Sequence, residues 1–223
     1  MKLTIFAATG GIGQHMLEQA IAAGHDVTVC VRNPKKLPGQ EQVRIVTADL
    51  ATPDPERLKS AIDGADAVLS GLGPRTTAEF GIASQGTQAI VDAMKVVDVR
   101  RLVVVSGAGV SIVPTPGRPN PPKREPGAGF LNRYVFTPLA RLVLGQHFID
   151  VALMEDVLRD SGLDWTAVRP PLLTDKLPTG NYRTAYGHNV PRGFRLARAD
   201  AAQFMLRVLD NPKTIKQAIA VAY

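Results

Sequence analysis

The sequence has few of the residues that build disulfide frameworks, base-stacking surfaces or membrane spans. Cys30 is the single cysteine among 223 residues, so the chain forms no internal disulfide. Aromatic residues make up 5% of the chain, too few for a platform that stacks nucleic-acid bases. No apolar run approaches the roughly 18 residues that a membrane-spanning helix needs. We therefore expect neither a membrane partner nor a nucleic-acid partner.

Targeting and metal-binding patterns are also missing. The first residues enter a strand pattern directly, without the basic segment, apolar core and cleavage site of a secretory signal, which favours a soluble cytoplasmic protein. The four histidines are scattered without the spacing of a metal site, so no metal is expected. The net charge of +6 is concentrated near residues 32–36 and 118–141 and, without a nucleic-acid motif, favours an anionic ligand.

What the sequence does contain is an alternation of strand and helix patterns, which is typical of parallel βαβ units. We predict strands at residues 2–7, 26–31, 43–47, 65–70, 101–106, 164–169, 182–185 and 217–221. We predict helices at residues 11–23, 81–97, 136–145, 148–160 and 200–210, with a short one opening at Pro55. The fold class is therefore α/β: one Rossmann-type domain, residues 1–223, with a doubly wound, mainly parallel sheet and a small C-terminal lobe on the substrate side.

A proline-rich insertion at about residues 111–129 interrupts this alternation. Loops of this length inside a compact domain are usually functional, so the insertion is predicted to form a wall of the substrate site. A solvated excursion with no role in the site is the alternative.

A glycine-rich turn follows the first predicted strand and opens the first predicted helix. It consists of Thr9, Gly10, Gly11, Ile12 and Gly13. Glycine at these positions lets the backbone approach a pyrophosphate, and the helix N-terminus attracts the negative charge. In this context the turn predicts dinucleotide binding rather than a plain turn.

The residue after the second predicted strand indicates which dinucleotide binds. Arg32 stands where NAD enzymes place Asp or Glu to bind the ribose hydroxyls. An arginine there, helped by Lys36 and Asn33, attracts a 2'-phosphate by charge-assisted hydrogen bonds. The sequence therefore favours NADP(H), the alternative being a surface arginine with no ligand.

Other predicted cofactor residues lie at the carboxyl ends of strands, beside the crevice where doubly wound sheets bind ligands. Asp49 and Leu50 follow the third strand, and Gly71, Leu72 and Gly73 follow the fourth. Small residues there suit a bulky ligand lying against the backbone, whereas Asp49 alone equally suits a turn.

Six segments carry a family resemblance: residues 8–13, 31–34, 48–50, 105–109, 161–170 and 198–200. Together they resemble the atypical short-chain dehydrogenase/reductases of the NAD(P)H-binding group, which includes the flavin/biliverdin reductase type and the nitrogen-repression regulator type. The resemblance covers nearly the whole chain outside the proline-rich insertion. It implies a Rossmann fold and puts Ser106 beside the nicotinamide, with Gly107 and Pro170 at the cofactor as well.

The chain departs from this family at several positions. Ala7 stands where the turn usually starts with Gly, which keeps the space but is expected to lose access to positive φ. No tyrosine is followed four positions later by the Lys that the family's proton donor needs. Val151 replaces the Lys or His that commonly stands four residues before the equivalent of Glu155, and Leu172 replaces a His. Ser106 is the polar residue that remains.

We predict Ser106 as the catalytic residue, hydrogen-bonded to a substrate carbonyl or to the nicotinamide carboxamide, with a strand-end cap as the alternative. His147 is interpreted as a surface or capping histidine. Glu155 is interpreted as a structural carboxylate, and Asp150 with Arg169 as a buried pair.

Substrate contacts are predicted around the insertion and the late strands, although aromatic residues beside helices more often belong to the core. These predicted contacts are Arg75, Phe130, Tyr134, Leu172 and Tyr182.

The leading hypothesis is an NADPH-dependent reductase that transfers hydride to a small conjugated acceptor: a flavin, a quinone or a related carbonyl compound. An acceptor that spreads charge over its own ring needs little local acid catalysis, which fits the missing proton donors. The alternative is a non-catalytic NADP-sensing regulatory protein that acts through a protein partner. An epimerase or dehydratase is a third possibility, disfavoured by the lack of an acid/base pair. We expect a small-molecule substrate and a monomer or homodimer.

Overall fold

The computed structural model describes residues 1–37, 42–74, 79–123 and 137–223, with side chains in the last range from residue 145. The strands of this part of the chain are β1 (Lys2–Phe6), β2 (Asp26–Val31), β3 (Arg44–Thr47), β4 (Ala67–Ser70), β5 (Arg101–Val105), β6 (Asp164–Arg169), β7 (Leu172–Thr174), β8 (Arg183–Tyr186), β9 (Arg195–Ala197) and β10 (Gln217–Ala222). The helices are α1 (Gly11–Ala22), α2 (Pro55–Ile62), α3 (Ile82–Val96), α4 (Thr137–Asp160) and α5 (Arg198–Arg207).

Eight strands form one sheet in the order β3-β2-β1-β4-β5-β6-β10-β8. Neighbouring strands are parallel except for β10 and β8 at one edge, which are antiparallel. The strand order reverses between β1 and β4, and doubly wound sheets bind ligands in the crevice at such a switch point. The predicted Rossmann-type fold is confirmed.

The side chains of β1 alternate between two cores, one on each face of the sheet. Leu3 and Ile5 pack with α1 and α5 on one face. Phe6 packs with α2, α3 and α4 on the other. The buried hydroxyl of Thr4 donates to the carbonyl oxygen of Ala61 at 2.6 Å, which satisfies it. A central strand covered on both faces in this way holds the turn that follows it on a rigid support.

The two helices predicted at residues 136–145 and 148–160 are one continuous helix, α4, so the predicted break is wrong. Gly145 lies inside this helix, where a glycine costs only about 1 kcal/mol relative to alanine. Burial of Val151, Met154 and Leu158 on the apolar face of α4 offsets that cost. None of the described helices is long and apolar enough to span a membrane.

The C-terminal lobe contains a two-stranded parallel sheet, β7 with β9, which the sequence pattern does not predict. Each strand has three residues, too few for an alternating pattern to be recognisable. The helix predicted to begin at residue 200 begins instead at Arg198, immediately after β9. This shift puts Arg198 at the very start of α5.

The proline-rich insertion begins packed against the protein, where Ile112 and Val113 are buried, whereas most of residues 114–123 are exposed. The carboxylate of Asp156, on α4, accepts a hydrogen bond from the backbone N–H of Gly117 at 3.1 Å. Residues 124–129 of the predicted insertion lie outside the described residues, and its role as a wall of the substrate site stays a prediction.

Candidate functional site

The glycine turn between β1 and α1 leaves no room for a side chain at its centre. A Cβ atom on Gly13 would lie 2.0 Å from the carbonyl oxygen of Ala7, so only glycine fits there. Ala7 has a φ of 58°, so the expectation that an alanine at this position loses positive φ is wrong. The turn holds Ala7 in the left-handed region at a cost of about 1–2 kcal/mol. A 2.8 Å hydrogen bond from the N–H of Gly10 to the carbonyl of Ala7 closes the turn.

The N-terminus of α1 follows this turn. Gly10 is its N-cap and has no side chain that could bond the first amide groups of the helix. The first turn of α1 contains no acidic residue. Backbone amides and the helix dipole make such an N-terminus favourable for an anion. The turn therefore has the space and the polarity that a pyrophosphate requires.

A cleft at the carboxyl ends of the strands brings most of the predicted cofactor residues together. Those that line it are Thr9, Gly10, Gly11, Ile12, Arg32, Asp49, Leu50, Gly71, Leu72, Gly73 and Ser106. Those outside its lining are Gly13, Asn33, Lys36, Gly107 and Pro170. For this second group, direct contact with a cofactor stays a prediction.

Two of these residues have structural reasons for their identity. A Cβ on Gly71 would lie 3.1 Å from Cε of Met16 and 3.4 Å from the backbone nitrogen of Gly13, so its small size serves the packing of the turn on β4. The side chain of Asn33 accepts a hydrogen bond from the N–H of Lys35 at 3.1 Å and caps a short 3-10 turn. Gly73, in contrast, faces open space in the cleft.

Arg32 lies at one end of the cleft, directly after β2. Its Nη2 atom is 2.8 Å from Oε1 of Glu79, and 53% of the arginine side chain is exposed. Glu79 also lines the cleft, and no sequence motif marks it as a site residue. We call this region, defined by Arg32 and Glu79, the adenosine end.

The segment that carries Glu79 is attached to α4 by Asp150. The buried carboxylate of Asp150 accepts hydrogen bonds from the backbone N–H groups of Gly81, Ala83 and Ser84 at 2.9–3.1 Å. It also accepts one from the hydroxyl of Ser84 at 2.6 Å. Asp150 thus caps the N-terminus of α3, and its predicted pairing with Arg169 is wrong.

Ser106, at the end of β5, belongs to a buried polar network at the other end of the cleft. Its hydroxyl donates to Oε1 of Glu155 at 2.7 Å. Arg169 donates to the same carboxylate through two nitrogens, Nε at 2.7 Å and Nη2 at 2.5 Å. Glu155 and Arg169 are almost completely buried, with 2% and 5% of their side chains exposed. We call this region, defined by Ser106, Glu155 and Arg169, the nicotinamide end.

This network keeps Glu155 ionised. Burial alone raises the pKa of Glu155, but the hydrogen bonds and charge of Arg169, with the hydroxyl of Ser106, lower it overall below its usual range. A carboxylate held in this form is an acceptor only. The proton of Ser106 is therefore committed to Glu155, and the oxygen of Ser106 keeps its lone pairs for a donor in the cleft.

His147 lines the cleft, so its interpretation as a surface or capping residue is wrong. His147, Val151 and Glu155 are spaced by four residues, which places them on one face of α4. That face is turned to the cleft, since Val151 lines it and Glu155 bonds Ser106. Burial lowers the pKa of His147, an effect that the charge of Asp150 opposes in part. The four-residue spacing is the sequence signal that would have identified it.

The predicted substrate residues are less well supported. Leu172 is 70% exposed and lies outside the cleft, whereas its neighbour Leu173 lines it. The ring of Tyr182 packs edge-on against Phe204 of α5, with ring centres 5.8 Å apart, and does not line the cleft. Three further predicted residues lie outside the described part of the chain: Arg75, Phe130 and Tyr134.

Other kinds of chemistry find little support among the described residues. Cys30 lines the cleft, but burial raises the pKa of its thiol to about 12, so it stays protonated and unreactive. Within the same part of the chain, no group of three or more His, Cys, Asp or Glu side chains is placed to hold a metal ion.

Comparison with known proteins identifies relatives over most of the chain. A family model described as NAD(P)H-binding matches residues 7–212. An uncharacterised chloroplastic protein of Arabidopsis thaliana is 29% identical over 189 residues, which cover 81% of this chain and 62% of that protein. The uncharacterised protein YwnB of Bacillus subtilis is 34% identical over 109 residues, covering 49% of this chain and 48% of YwnB. The matches thus span less than two thirds of either relative.

Solved structures share the fold over its full length. ChuY of Escherichia coli O157:H7, an anaerobillin reductase, has a TM-score of 0.77 at 22% identity, covering 100% of this chain and 97% of that one. A Streptococcus pneumoniae protein named as a candidate NADH-flavin reductase has a TM-score of 0.73 at 27% identity, covering 100% and 99%. A short-chain dehydrogenase/reductase of Veillonella parvula in complex with NADP has a TM-score of 0.78 at 19% identity, covering 100% and 94%.

Proposed function

The chain belongs to the NAD(P)H-binding family, and we propose that it is an NADPH-dependent reductase that transfers hydride to a small conjugated acceptor: a flavin, a quinone or a related carbonyl compound. One observation carries the proposal. A single cleft contains the glycine turn and Arg32, as well as Ser106 and His147. A site for the dinucleotide and a site for the acceptor are thus continuous, as direct hydride transfer requires.

The preference for NADPH rests on Arg32. Its guanidinium lies in the cleft immediately after β2, where a dinucleotide on this fold presents its ribose. An arginine binds a phosphate through charge-assisted hydrogen bonds that are stronger than neutral ones. The Arg32 side chain is 53% exposed in its pair with Glu79, and a 2'-phosphate can take the place of the carboxylate because exposed ion pairs contribute only about 0–1 kcal/mol.

Ser106 supports the nicotinamide as a hydrogen-bond acceptor. Since its own proton points to Glu155, its oxygen is available to the NH₂ group of a carboxamide. This differs from a role in which Ser106 donates to a substrate carbonyl. The ion pair of Glu155 with Arg169 keeps the serine in one orientation, which positions the cofactor ring against its acceptor.

His147 is the polar side chain that we propose for the acceptor. Because its pKa is lowered, its imidazole is mainly neutral at pH 7 and offers an N–H donor to a ring carbonyl or ring nitrogen. When bound, the reduced cofactor supplies the hydride. An acceptor that delocalises the incoming charge needs only such a hydrogen bond, and solvent can supply the proton.

The named relatives agree with this choice of acceptor. The Streptococcus pneumoniae protein is named for flavin reduction and ChuY for reduction of an anaerobillin. The observation that favours an enzyme over a regulator that only senses NADP is the presence of His147 in the same cleft as Ser106. Either protein would use Ser106 to hold the nicotinamide, but only an enzyme needs a polar side chain for an acceptor.

Oxidation of NADPH, followed by absorbance with a panel of flavins, quinones and simple carbonyl compounds, tests the proposal. We expect turnover with at least one ring acceptor and faster reaction with NADPH than with NADH. His147→Gln is expected to lower kcat by about 100-fold without changing the Kd for NADPH, because it removes an interaction with the acceptor. The matched control is His188→Gln, at an exposed histidine outside the cleft. Tight NADPH binding without turnover of any acceptor would refute the reductase and leave the regulator.

A further inference from the structure

We propose that Arg198 is a second anion-binding residue of the cleft, which contacts the diphosphate of the dinucleotide from the side of α5. This inference rests on the cofactor binding within the proposed function and not on the identity of the hydride acceptor. It concerns a different phosphate group from the one assigned to Arg32.

The side chain of Arg198 lies directly over the glycine turn. A Cβ atom added to Gly11 would stand 2.7 Å from Cδ and 2.8 Å from Nε of Arg198. Arg198 also lines the cleft, together with Gly10 and Gly11. A positive charge is thus held beside the α1 N-terminus, whose amides already favour an anion. Two independent elements, a helix end and a guanidinium, converge on one place.

The backbone of Arg198 is fixed by the contacts around it. α5 packs against α1, and Gln19 of α1 donates a hydrogen bond to the carbonyl oxygen of Ala199 at 2.9 Å. The next residue, Asp200, is fully buried and accepts hydrogen bonds from the backbone N–H groups of Thr179 and Gly180. The start of α5 therefore has little freedom, and Arg198 is presented to the turn from a rigid support.

The partner of Arg198 is easily exchanged. Nη1 of Arg198 is 2.5 Å from Oδ1 of Asp175, but 85% of the Asp175 side chain is exposed. Arg198 itself keeps 29% of its side chain exposed. An ion pair with such an exposed partner contributes little to stability, so a diphosphate with two negative charges can take the place of the carboxylate. Asp175 holds the guanidinium near the turn in the meantime.

An anion in the acceptor is the other source of negative charge that Arg198 could bind. We assign the diphosphate because Arg198 contacts the glycine turn. The residues assigned to the nicotinamide and the acceptor lie elsewhere, since Ser106 directly follows β5 and His147 is on α4. The test must separate these two sources.

The test is the affinity of Arg198→Ala for NADPH, NADH and 2'-AMP, measured by calorimetry in the absence of any acceptor. We expect both dinucleotides to bind about 10- to 100-fold more weakly, as for loss of a hydrogen bond to a charged group. The affinity for 2'-AMP, which lacks the diphosphate, is expected to be unchanged. Arg198→Lys keeps the positive charge but not the planar guanidinium, and its affinity for both dinucleotides is expected to fall less than that of Arg198→Ala. The matched control, Arg195→Ala, removes an exposed arginine three residues away and should change none of these affinities.

Asp175→Asn tests whether the Asp175 carboxylate and the diphosphate compete for Arg198. Removing the competing carboxylate is expected to tighten NADPH and NADH about 2- to 5-fold and equally. If Arg198→Ala leaves both dinucleotide affinities unchanged, the proposal is overturned, and a raised KM for an anionic acceptor in the same variant would assign Arg198 to the acceptor. These affinity measurements need no turnover. Absence of reductase activity would therefore refute the proposed function, but the role of Arg198 in binding the cofactor would still be decided by the measured affinities.

Discussion

Each end of the cleft contains an arginine paired with a glutamate, but the two pairs differ in their exposure to solvent. At the adenosine end the Arg32 side chain is 53% exposed and that of Glu79 is 24% exposed. At the nicotinamide end, Glu155 and Arg169 are 2% and 5% exposed. The same two residue types therefore make one pair that water screens and one pair that water does not reach.

This difference in exposure suits the two ends to different tasks: the adenosine end selects the cofactor, and the nicotinamide end positions Ser106. An exposed pair contributes about 0–1 kcal/mol and can be replaced by a ligand. A buried pair has already lost its hydration, so removing either partner leaves a charge without compensation. The adenosine end can thus open for a phosphate, whereas the nicotinamide end keeps Ser106 in place whether or not a ligand is present.

The largest expected effect is at the buried end. Glu155→Leu is expected to lower the free energy of unfolding by about 3–5 kcal/mol, because Arg169 loses the buried carboxylate that accepts two of its hydrogen bonds. Urea denaturation measures this. Glu79→Leu, which breaks the exposed pair, should cost less than about 1 kcal/mol. Adding Arg169→Met to Glu155→Leu should restore much of the lost stability. Equal losses of stability in Glu155→Leu and Glu79→Leu would contradict the proposed difference between the buried and the exposed pair.

The buried pair also predicts an acid limit on stability. The folded-state pKa of Glu155 lies below its value in the unfolded chain, so its ionisation stabilises the fold above the ordinary carboxyl pKa. That contribution is lost as the pH falls through the folded-state pKa. The wild type should therefore lose stability towards acid pH more steeply than the Glu155→Leu/Arg169→Met variant, as measured by thermal unfolding across a pH series. Parallel curves would count against an ionised Glu155.

A middle-sized effect is expected at the exposed end. Arg32→Glu replaces the charge that attracts a 2'-phosphate with one that repels it, so NADPH should bind about 10- to 100-fold more weakly. NADH, which lacks that phosphate, should lose far less. Fluorescence titration of both cofactors measures the ratio. An equal loss of affinity for NADPH and NADH would show that Arg32 does not bind the 2'-phosphate.

The smallest effect is expected from the glutamate of the same pair. Glu79→Gln removes a competitor for Arg32 and should tighten NADPH about 2- to 5-fold while leaving NADH unchanged. The same titration detects it, with Glu56→Gln as the control at an exposed glutamate outside the cleft. Weaker NADPH binding in Glu79→Gln would indicate that this carboxylate holds Arg32 in place instead of competing for it.

The fold and the adenosine end could be predicted from local patterns. The glycine turn and Arg32 are adjacent to strands whose apolar runs are easy to recognise, so sequence neighbours become neighbours in the cleft. At the nicotinamide end, the family resemblance predicts Ser106 but not its network, because Glu155 and Arg169 meet through the packing of α4 on the sheet. The sequence misplaces His147 at the surface for the same reason, because its exposure depends on which face of α4 turns to the cleft. Ala7 shows that local preference can also mislead, since the turn between β1 and α1 holds this residue at a positive φ that alanine rarely adopts.

The cap that Asp150 provides for α3 determines how the adenosine end can move. Four hydrogen bonds to one carboxylate hold Gly81, Ala83 and Ser84 against α4. Between Glu79 and the first of these bonded residues, Gly81, lies only Phe80. Because this cap joins α3 to α4, we expect exchange of partners at the adenosine end to leave both helices, and with them His147, in place.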